Sequence, residues 1–201
     1  MESAALTPPT RRSLRVAGLV LAAGAGRRYG GPKALVRLDG RLLVERVVRV
    51  ARDGGCDPVV PVLGAAATTV RQQAELDDAV PVENPDWPTG MGSSLRAGLA
   101  ALSGTDAVAA IVLLVDMPGV TAEAVRRLAD LAGPTALAMA GYGDRRGHPV
   151  LLGRDHWTGV TASAVGDIGA RAYLRERATQ LRVVPCADVA DDTDLDVPPA
   201  P

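Results

Sequence analysis

Residues 16–33 read Val16-Ala17-Gly18-Leu19-Val20-Leu21-Ala22-Ala23-Gly24-Ala25-Gly26-Arg27-Arg28-Tyr29-Gly30-Gly31-Pro32-Lys33. An apolar run, Val16–Leu21, suited to a buried strand, gives way to a loop carrying four glycines, two arginines and a lysine. Gly24, Gly26, Gly30 and Gly31 permit positive φ and close backbone approach, so consecutive N–H groups can turn inward as a nest for an anion. Arg27 or Arg28, together with Lys33, supplies full positive charge, as a planar fork and a flexible point charge respectively. Pro32 fixes its own φ and pushes Gly31 away from the α region, which stiffens the loop ahead of the lysine. A strand ending in this loop is suited to hold a triphosphate.

Two other phosphate loops fit less well. A dinucleotide fingerprint needs G-x-G-x-x-G opening into a helix, with an acidic residue about 20 positions on. Here the third glycine comes one residue late (Gly24, Gly26, Gly30), and Glu45 falls in a helix-like segment with Leu42, Leu43, Val47 and Val50. A Walker A loop is excluded because no Gly-Lys-Ser/Thr follows the glycines. Upstream, Thr10-Arg11-Arg12-Ser13-Leu14-Arg15 superficially resembles a twin-arginine export signal. Cleavage there would remove the first strand and half of the loop, so residues 1–14 are read as a disordered N-terminal arm.

Composition narrows the class. With 201 residues, 47% hydrophobic content and a formal charge of -1, the chain reads as one soluble globular domain over residues 15–187. No long uncharged apolar run argues for a membrane span, and the near-neutral charge argues against nucleic-acid binding. Two cysteines, Cys56 and Cys186, lie far apart without metal-binding spacing and fit a reducing, cytoplasmic setting. Phenylalanine is absent, so the core must be built from Val, Leu and Ala.

Strand-like and helix-like segments alternate. Strands are expected at Val16–Leu21, Pro58–Leu63, Ala79–Val82 and Ala109–Val115, with helices at Arg41–Ala51, Ala66–Leu76, Gly92–Leu102 and Thr121–Leu131. Thr135–Ala140 and Pro149–Leu152 should flank a turn at Gly141–Asp144. A helix near Ala170–Ala178, a last strand at Leu181–Val184 and a mobile acidic tail from Asp188 complete the chain. This alternation predicts an α/β fold, a single-domain three-layer sandwich around a mostly parallel sheet. Asp116 follows the clearest strand, at the carboxyl end where open α/β sheets bind ligands. A carboxylate there can hold Mg²⁺ against phosphate oxygens; alternatively it is a turn or capping aspartate.

Leu21–Lys33 followed by Val115-Asp116-Met117-Pro118 resembles the molybdenum-cofactor nucleotidyltransferase family. Its pattern is L-A-x-G-x-S/G-x-R-x-G-x-P-K and then D-M-P. Three further segments are similar to the molybdopterin cytidylyltransferase branch: Asn84–Leu95, with N-x-x-W-x-x-G-M-x-x-S-L; Gly147-His148-Pro149-Val150-Leu151; and Gly166-Asp167-Ile168-Gly169-Ala170-Arg171. The likeness covers roughly residues 16–184 and implies a Rossmann-like nucleotidyltransferase fold. It implies that Leu21, Ala22 and Ala23 meet the nucleobase and that Gly24 and Gly26 belong to the nucleotide loop. Arg28 and Lys33 would bind the triphosphate, and Asp116 the magnesium. Alanine at position 23, where relatives using GTP carry glycine, implies CTP. Ser93 and Ser94 would help hold the nucleotide or simply cap a helix. His148 and Asp167 would face the second substrate, a molybdopterin-type acceptor, Asp167 alternatively being a second metal ligand or the N-cap of the following helix. A molybdenum hydroxylase is the implied partner.

The tail Asp191-Asp192-Thr193-Asp194-Leu195-Asp196-Val197-Pro198 matches the family's D-I-D-T-P-E-D only imperfectly. Two other readings stay open. One is a nucleotidyltransferase acting on a sugar phosphate or alcohol phosphate. The other is a non-catalytic protein that binds nucleotide or molybdopterin beside a hydroxylase.

Overall fold

The computed structural model describes residues 14–195. All but the last residue of the expected N-terminal arm, and the end of the acidic tail, lie outside the described residues. The chain runs β1 (Val16–Ala22), β2 (Arg37–Leu38), β3 (Arg41–Leu42), α1 (Leu43–Asp53), β4 (Val59–Leu63), α2 (Ala67–Gln73), β5 (Val82–Glu83) and α3 (Met91–Leu102). It continues through β6 (Ala109–Leu114), α4 (Ala122–Ala129), β7 (Leu137–Tyr142), β8 (Arg145–Gly153), α5 (Trp157–Ser163), α6 (Arg171–Glu176) and β9 (Arg182–Pro185).

Seven strands form one sheet in the order β5-β4-β1-β6-β8-β7-β9. Only β8 runs against its neighbours, so the sheet is mostly parallel, as expected. Every residue of β1 is buried, and the period-two alternation of a strand divides its side chains between two cores. Val16, Val20 and Ala22 meet the layer of α1 and α4, whereas Ala17, Leu19 and Leu21 meet that of α3, α5 and α6. On α1, Leu43, Val44, Val47, Val48 and Ala51 form the buried stripe that a 3.6-residue period places on one face. Each such fully buried Val or Leu contributes about 1.5–3 kcal/mol. Close approach on the other side rests on Gly98 of α3, where a Cβ would lie 2.2 Å from Leu19 Cδ1.

Several elements differ from their sequence expectation. The helix expected from Arg41 begins at Leu43, because Arg41–Leu42 pairs back on Arg37–Leu38 across Asp39-Gly40, both at positive φ. Glu45, spaced like a ribose-binding acid, instead accepts from Leu42 N and Glu75 N, both at 2.9 Å. The strand expected at Ala79–Val82 is shifted to Val82–Glu83, since Pro81 has no N–H to give the ladder. The turn expected at Gly141–Asp144 is narrower: Gly141 and Tyr142 still pair in β7, and β8 begins at Arg145, four residues ahead of Pro149. Helix α5, Trp157–Ser163, is not among the elements that the sequence predicts.

The tail also differs where it is described. Asp188 forms two 2.8 Å bonds to the Arg127 guanidinium, Asp191 N donates to Gly119 O at 3.0 Å, and Leu195 N donates to Asp116 O at 2.9 Å. Val189, Ala190 and Leu195 pack on the α1–α4 core. Glycines make room for this segment: a Cβ at Gly119 would lie 2.8 Å from Asp191 O, and one at Gly147 would lie 2.7 Å from Asp192 Oδ2. Through residue 195 the tail is a strap, not a loose end.

Candidate active site

Parallel β1, β4 and β6 all end at the same edge, so their following loops meet there. Between them lies a cleft of about 350 Å³, lined by the glycine loop after β1, Trp87-Pro88 and Gly90 before α3, and Val115-Asp116 after β6.

The loop is curled by hydrogen bonds onto one carbonyl. Gly26 O accepts from the N–H groups of Tyr29, Gly30 and Gly31 at 3.0, 3.0 and 3.1 Å. Gly26 has φ +59°, and a Cβ there would lie 1.8 Å from Gly31 O, so only glycine fits. At Gly24 a Cβ would meet nothing within 4 Å. That emptiness is the floor of the cleft.

Lys33 and Asp116 come together across this floor. Lys33 Nζ donates to Asp116 Oδ2 at 2.9 Å, with the two side chains 15% and 25% exposed. Of the two arginines, Arg27 lines the cleft and Arg28 does not. The chain turns back on Gly26 O, which separates the two arginines: the residues alone left Arg27 and Arg28 open, and the family resemblance implied Arg28. Leu21, Ala23, Gly24 and Gly26 line the cleft, while Ala22 faces the α1 core. The carbonyls of Leu21 and Ala23 already accept from Val115 N at 3.2 Å and Ala65 N at 3.0 Å.

The two serines separate in role. Ser93 is buried, donating to Asp86 O or Gly90 O at 2.9 and 2.8 Å, and does not line the cleft. Ser94 does line it. Asn84 governs both: its amide donates to Ser93 Oγ at 2.8 Å and to Ser94 Oγ at 3.1 Å. An accepted bond from Asn84 leaves the Ser94 hydroxyl proton to donate elsewhere. Asn84 stands in the N-x-x-W segment, yet its importance shows only once that segment is folded back onto α3.

Asp167 enters the cleft from the segment before α6. It does not cap the helix that follows it: its Oδ1 accepts from Met91 N, the first N–H of α3, at 3.2 Å. Gly90, with φ +110°, allows this, since a Cβ there would lie 2.5 Å from Gly166 C. His148 is not in the main cleft. It lies in a neighbouring cavity with Arg146 and Arg171, and that cavity shares Leu21 and Met91 with the cleft. Burial first, and then the Arg171 charge, push the His148 pKa down to about 4, so its ring is neutral near pH 7.

Among the described residues no three His, Cys, Asp or Glu side chains converge as a metal-binding cluster. Magnesium does not need one, because it takes one or two carboxylates and completes its shell with phosphates and water. Asp116, at a strand end beside the anion loop, fits that pattern. No helix among the described residues is long and apolar enough to cross a membrane.

A mostly parallel sheet with a glycine-rich anion loop, a lysine and a carboxylate at its strand ends defines an α/β nucleotide-handling domain. Residues 18–182 match the model of the MobA-like NTP transferase domain, and the chain belongs to that family. It is a nucleotidyltransferase of the MobA-like type. The chain is 40% identical over 189 residues to nicotine blue oxidoreductase of Paenarthrobacter nicotinovorans, covering 90% of this chain and 92% of the relative. It is 35% identical over 149 residues to a molybdenum cofactor guanylyltransferase of Rhodobacter capsulatus, covering 72% of this chain and 67% of that protein. The solved structure of Rv0371c from Mycobacterium tuberculosis in complex with manganese superposes with a TM-score of 0.70 at 30% identity, covering 85% of this chain and 88% of that one.

Proposed function

We propose that the protein transfers CMP from CTP to the terminal phosphate of a molybdopterin-type acceptor, with Mg²⁺, releasing pyrophosphate. The observation that carries this is the meeting of the Gly24–Gly26 floor, Lys33 and Asp116 in one cleft at the ends of parallel strands. An acceptor phosphate oxygen attacks the α-phosphorus, a new P–O bond forms, and the bond to the β-phosphate bridging oxygen breaks. The attacking oxygen is already anionic, so no general base is required. Catalysis is then positioning and charge neutralisation.

Lys33 and Arg27 neutralise the triphosphate and then the pyrophosphate that leaves, and Ser94, oriented by Asn84, donates a hydrogen bond to the nucleotide. Asp116 would hold the metal, which when bound screens the phosphate charge. The manganese in the mycobacterial neighbour supports a divalent ion here. Ala23 supports CTP, and the guanylyltransferase relative supports a molybdenum-cofactor acceptor. A molybdenum hydroxylase is the partner that would receive the product.

A second reading has one observation behind it. A relative 40% identical over nearly the full length is named an oxidoreductase, which favours a redox reaction on this fold. Pyrophosphate release from each NTP, with and without molybdopterin cofactor and Mg²⁺, tests the transfer. No release with any NTP, together with reduction of nicotine blue by an added reductant, would favour the redox reading.

A further inference from the structure

The strap crosses between the loop that carries Asp116 and the start of β8, and two neighbouring strap residues seat on two glycines. Asp191 lies on Gly119, where a Cβ would come within 2.9 Å of the Asp191 Cβ. Asp192 lies on Gly147, where a Cβ would come within 2.7 Å of its Oδ2 and 3.4 Å of its own Cβ and Cγ. Asp191 Oδ1 accepts from Thr193 N at 2.7 Å, an Asx turn that shapes the chain around Asp192.

The Asp116 loop depends on this strap. Its own turn bonds are long, Met117 N to Leu114 O at 3.4 Å and Val120 N to Met117 O at 3.2 Å. The strap's bonds to its carbonyls are shorter, Leu195 N to Asp116 O at 2.9 Å and Asp191 N to Gly119 O at 3.0 Å. Asp116 is therefore gripped twice, by the strap at its carbonyl and by Lys33 at its carboxylate.

Asp192 is buried beyond what anchoring a tail requires. Its side chain is 9% exposed, whereas Arg145, whose Nη2 stands 2.8 Å from Asp192 Oδ1, is 68% exposed. That oxygen accepts no hydrogen bond among the described residues, so the contact is an ion pair without hydrogen-bond geometry. A carboxylate shut from water beside one mostly solvated partner gains little for its desolvation. The exposed Asp188, with its two bonds to Arg127, anchors the strap without that cost. Asp192 lines neither the cleft nor the cavity of His148. Burial and Arg171 lower the His148 pKa, and the charges acting against them are Asp116 and Asp192, so both carboxylates lie within reach of one ring.

We propose that Asp192 is a positioning residue: seated on Gly147 and tied to β8 by Arg145, it fixes the strap whose amides hold the Asp116 loop, and so sets where the Asp116 carboxylate meets a metal-bound nucleotide. The metal and the nucleotide rest on the transferase reading, whereas the hold on the loop does not.

Calorimetric titration of the full chain with CTP and with GTP, in Mg²⁺ and in EDTA, gives the metal-dependent share of affinity. Hydrogen exchange over residues 115–120 reads the loop without any ligand. Asp192→Ala should cut the metal-dependent share about tenfold or more, the scale of a small misplacement. It should also speed exchange over 115–120 and leave affinity in EDTA unchanged. Asp192→Asn keeps the shape on Gly147 and should restore most of both. Asp188→Ala, a strap contact remote from Asp116, should change neither. Circular dichroism checks folding, and the exposed Arg145→Ala, expected to act in the same direction, serves where Asp192→Ala does not fold.

The proposal is overturned if Asp192→Ala leaves loop exchange or the metal-dependent share as in wild type, or if Asp188→Ala shifts them equally. It is also overturned if Asp192→Asn loses the metal-dependent share as fully as Asp116→Asn, which would make Asp192 a metal ligand. Should the wild type show no metal-dependent share with either nucleotide, the metal assignment of the transferase reading falls and loop exchange decides. Faster exchange in Asp192→Ala but not in Asp188→Ala then upholds the hold on the loop, and equal exchange overturns it.

Discussion

Lys33 Nζ reaches Asp116 Oδ2 at 2.9 Å across 83 residues of sequence, closing a cation and an anion over the floor of the cleft. In the proposed reaction a triphosphate entering with its metal ion would offer each of them another partner: phosphate oxygens for the lysine, and the metal for the aspartate. Asp116→Asn keeps the shape and removes the charge. It should lower Mg²⁺-dependent pyrophosphate release by about a hundredfold or more, the scale of lost electrostatic stabilisation, with little change in the circular dichroism melting curve. Lys33→Ala should cost about 2–3 kcal/mol in kcat/KM. Normal turnover in a folded Asp116→Asn protein removes the metal assignment, and wild-type kinetics in Lys33→Ala removes the phosphate contact.

Arg27 and Arg28 are adjacent in sequence but not equivalent in space. Arg27 lines the cleft, and the turn onto Gly26 O carries Arg28 away from it. Arg27→Ala should therefore raise the dissociation constant for CTP about tenfold, as a charge-assisted contact would, while Arg28→Ala changes it less. The reverse order, read by calorimetry, would return the triphosphate role to Arg28.

Asn84 is buried, and its amide carries the bonds that set both serine hydroxyls. Asn84→Ala also deletes the bond from Asp86 N to Oδ1 at 3.1 Å. It should destabilise the protein by about 1–3 kcal/mol in urea unfolding, the cost of buried polar groups left unmatched. Ser94→Ala should spare stability and weaken nucleotide binding. If Ser94→Ala lowers stability as much as Asn84→Ala and leaves binding intact, the hydroxyl is structural.

Acid should reveal His148. In the folded protein it titrates at about 4, held down by burial and then by Arg171, with Asp116 and Asp192 acting the other way. In the unfolded chain it gains its proton near pH 6.5. Between those values the unfolded state binds the extra proton, so this contribution is complete above pH 6.5 and is lost as pH falls toward 4. The loss between pH 7 and pH 5 is on the order of 1–2 kcal/mol. His148→Gln should flatten that part of the urea-measured stability profile; an unchanged slope would show that other groups cause it.

The parts of this molecule written in apolar periodicity could be read from sequence, and the parts made by pairing could not. β1 and β6 are apolar throughout because both faces of the sheet are covered, and the stripe on α1 follows from its single buried face. Arg145–Gly147 is strand only because Ala140, Gly141 and Tyr142 lie opposite it, a fact no propensity records. The seven residues of α5, with Thr158, Gly159 and Thr161 among them, carry little helix signal and are held by Trp157 and Val160 in the core. In the site, Lys33, Asp116 and the glycines were legible because their chemistry is local. Arg27's direction, Asn84's reach and Asp167's bond to Met91 depend on segments far apart in sequence. The tail misled for the same reason: acidic composition suggests a solvated end, but Asp188 and Asp192 find Arg127 and Arg145.

Ala23 offers the sharpest test of base choice. Its side chain is buried against the end of β4: a Cβ added to Gly64 would lie 2.7 Å from Ala23 Cβ, and Ala65 N donates to Ala23 O at 3.0 Å. The position is thus pinned on one side and borders the cleft on the other, so under the proposed function the methyl group would limit how closely a base approaches the end of β1. Wild type should bind CTP more tightly than GTP, and Ala23→Gly should move the ratio toward GTP. A methyl discriminates by about 1–3 kcal/mol through packing, with more lost where a purine is held off its backbone hydrogen bonds. If the methyl only fills space under the loop, Ala23→Gly weakens both nucleotides equally. Calorimetry with both nucleotides and Mg²⁺, on wild type and variant, separates the outcomes. GTP binding to the wild type as tightly as CTP would overturn the choice of cytidine, because the base would then be read by groups that position 23 does not control.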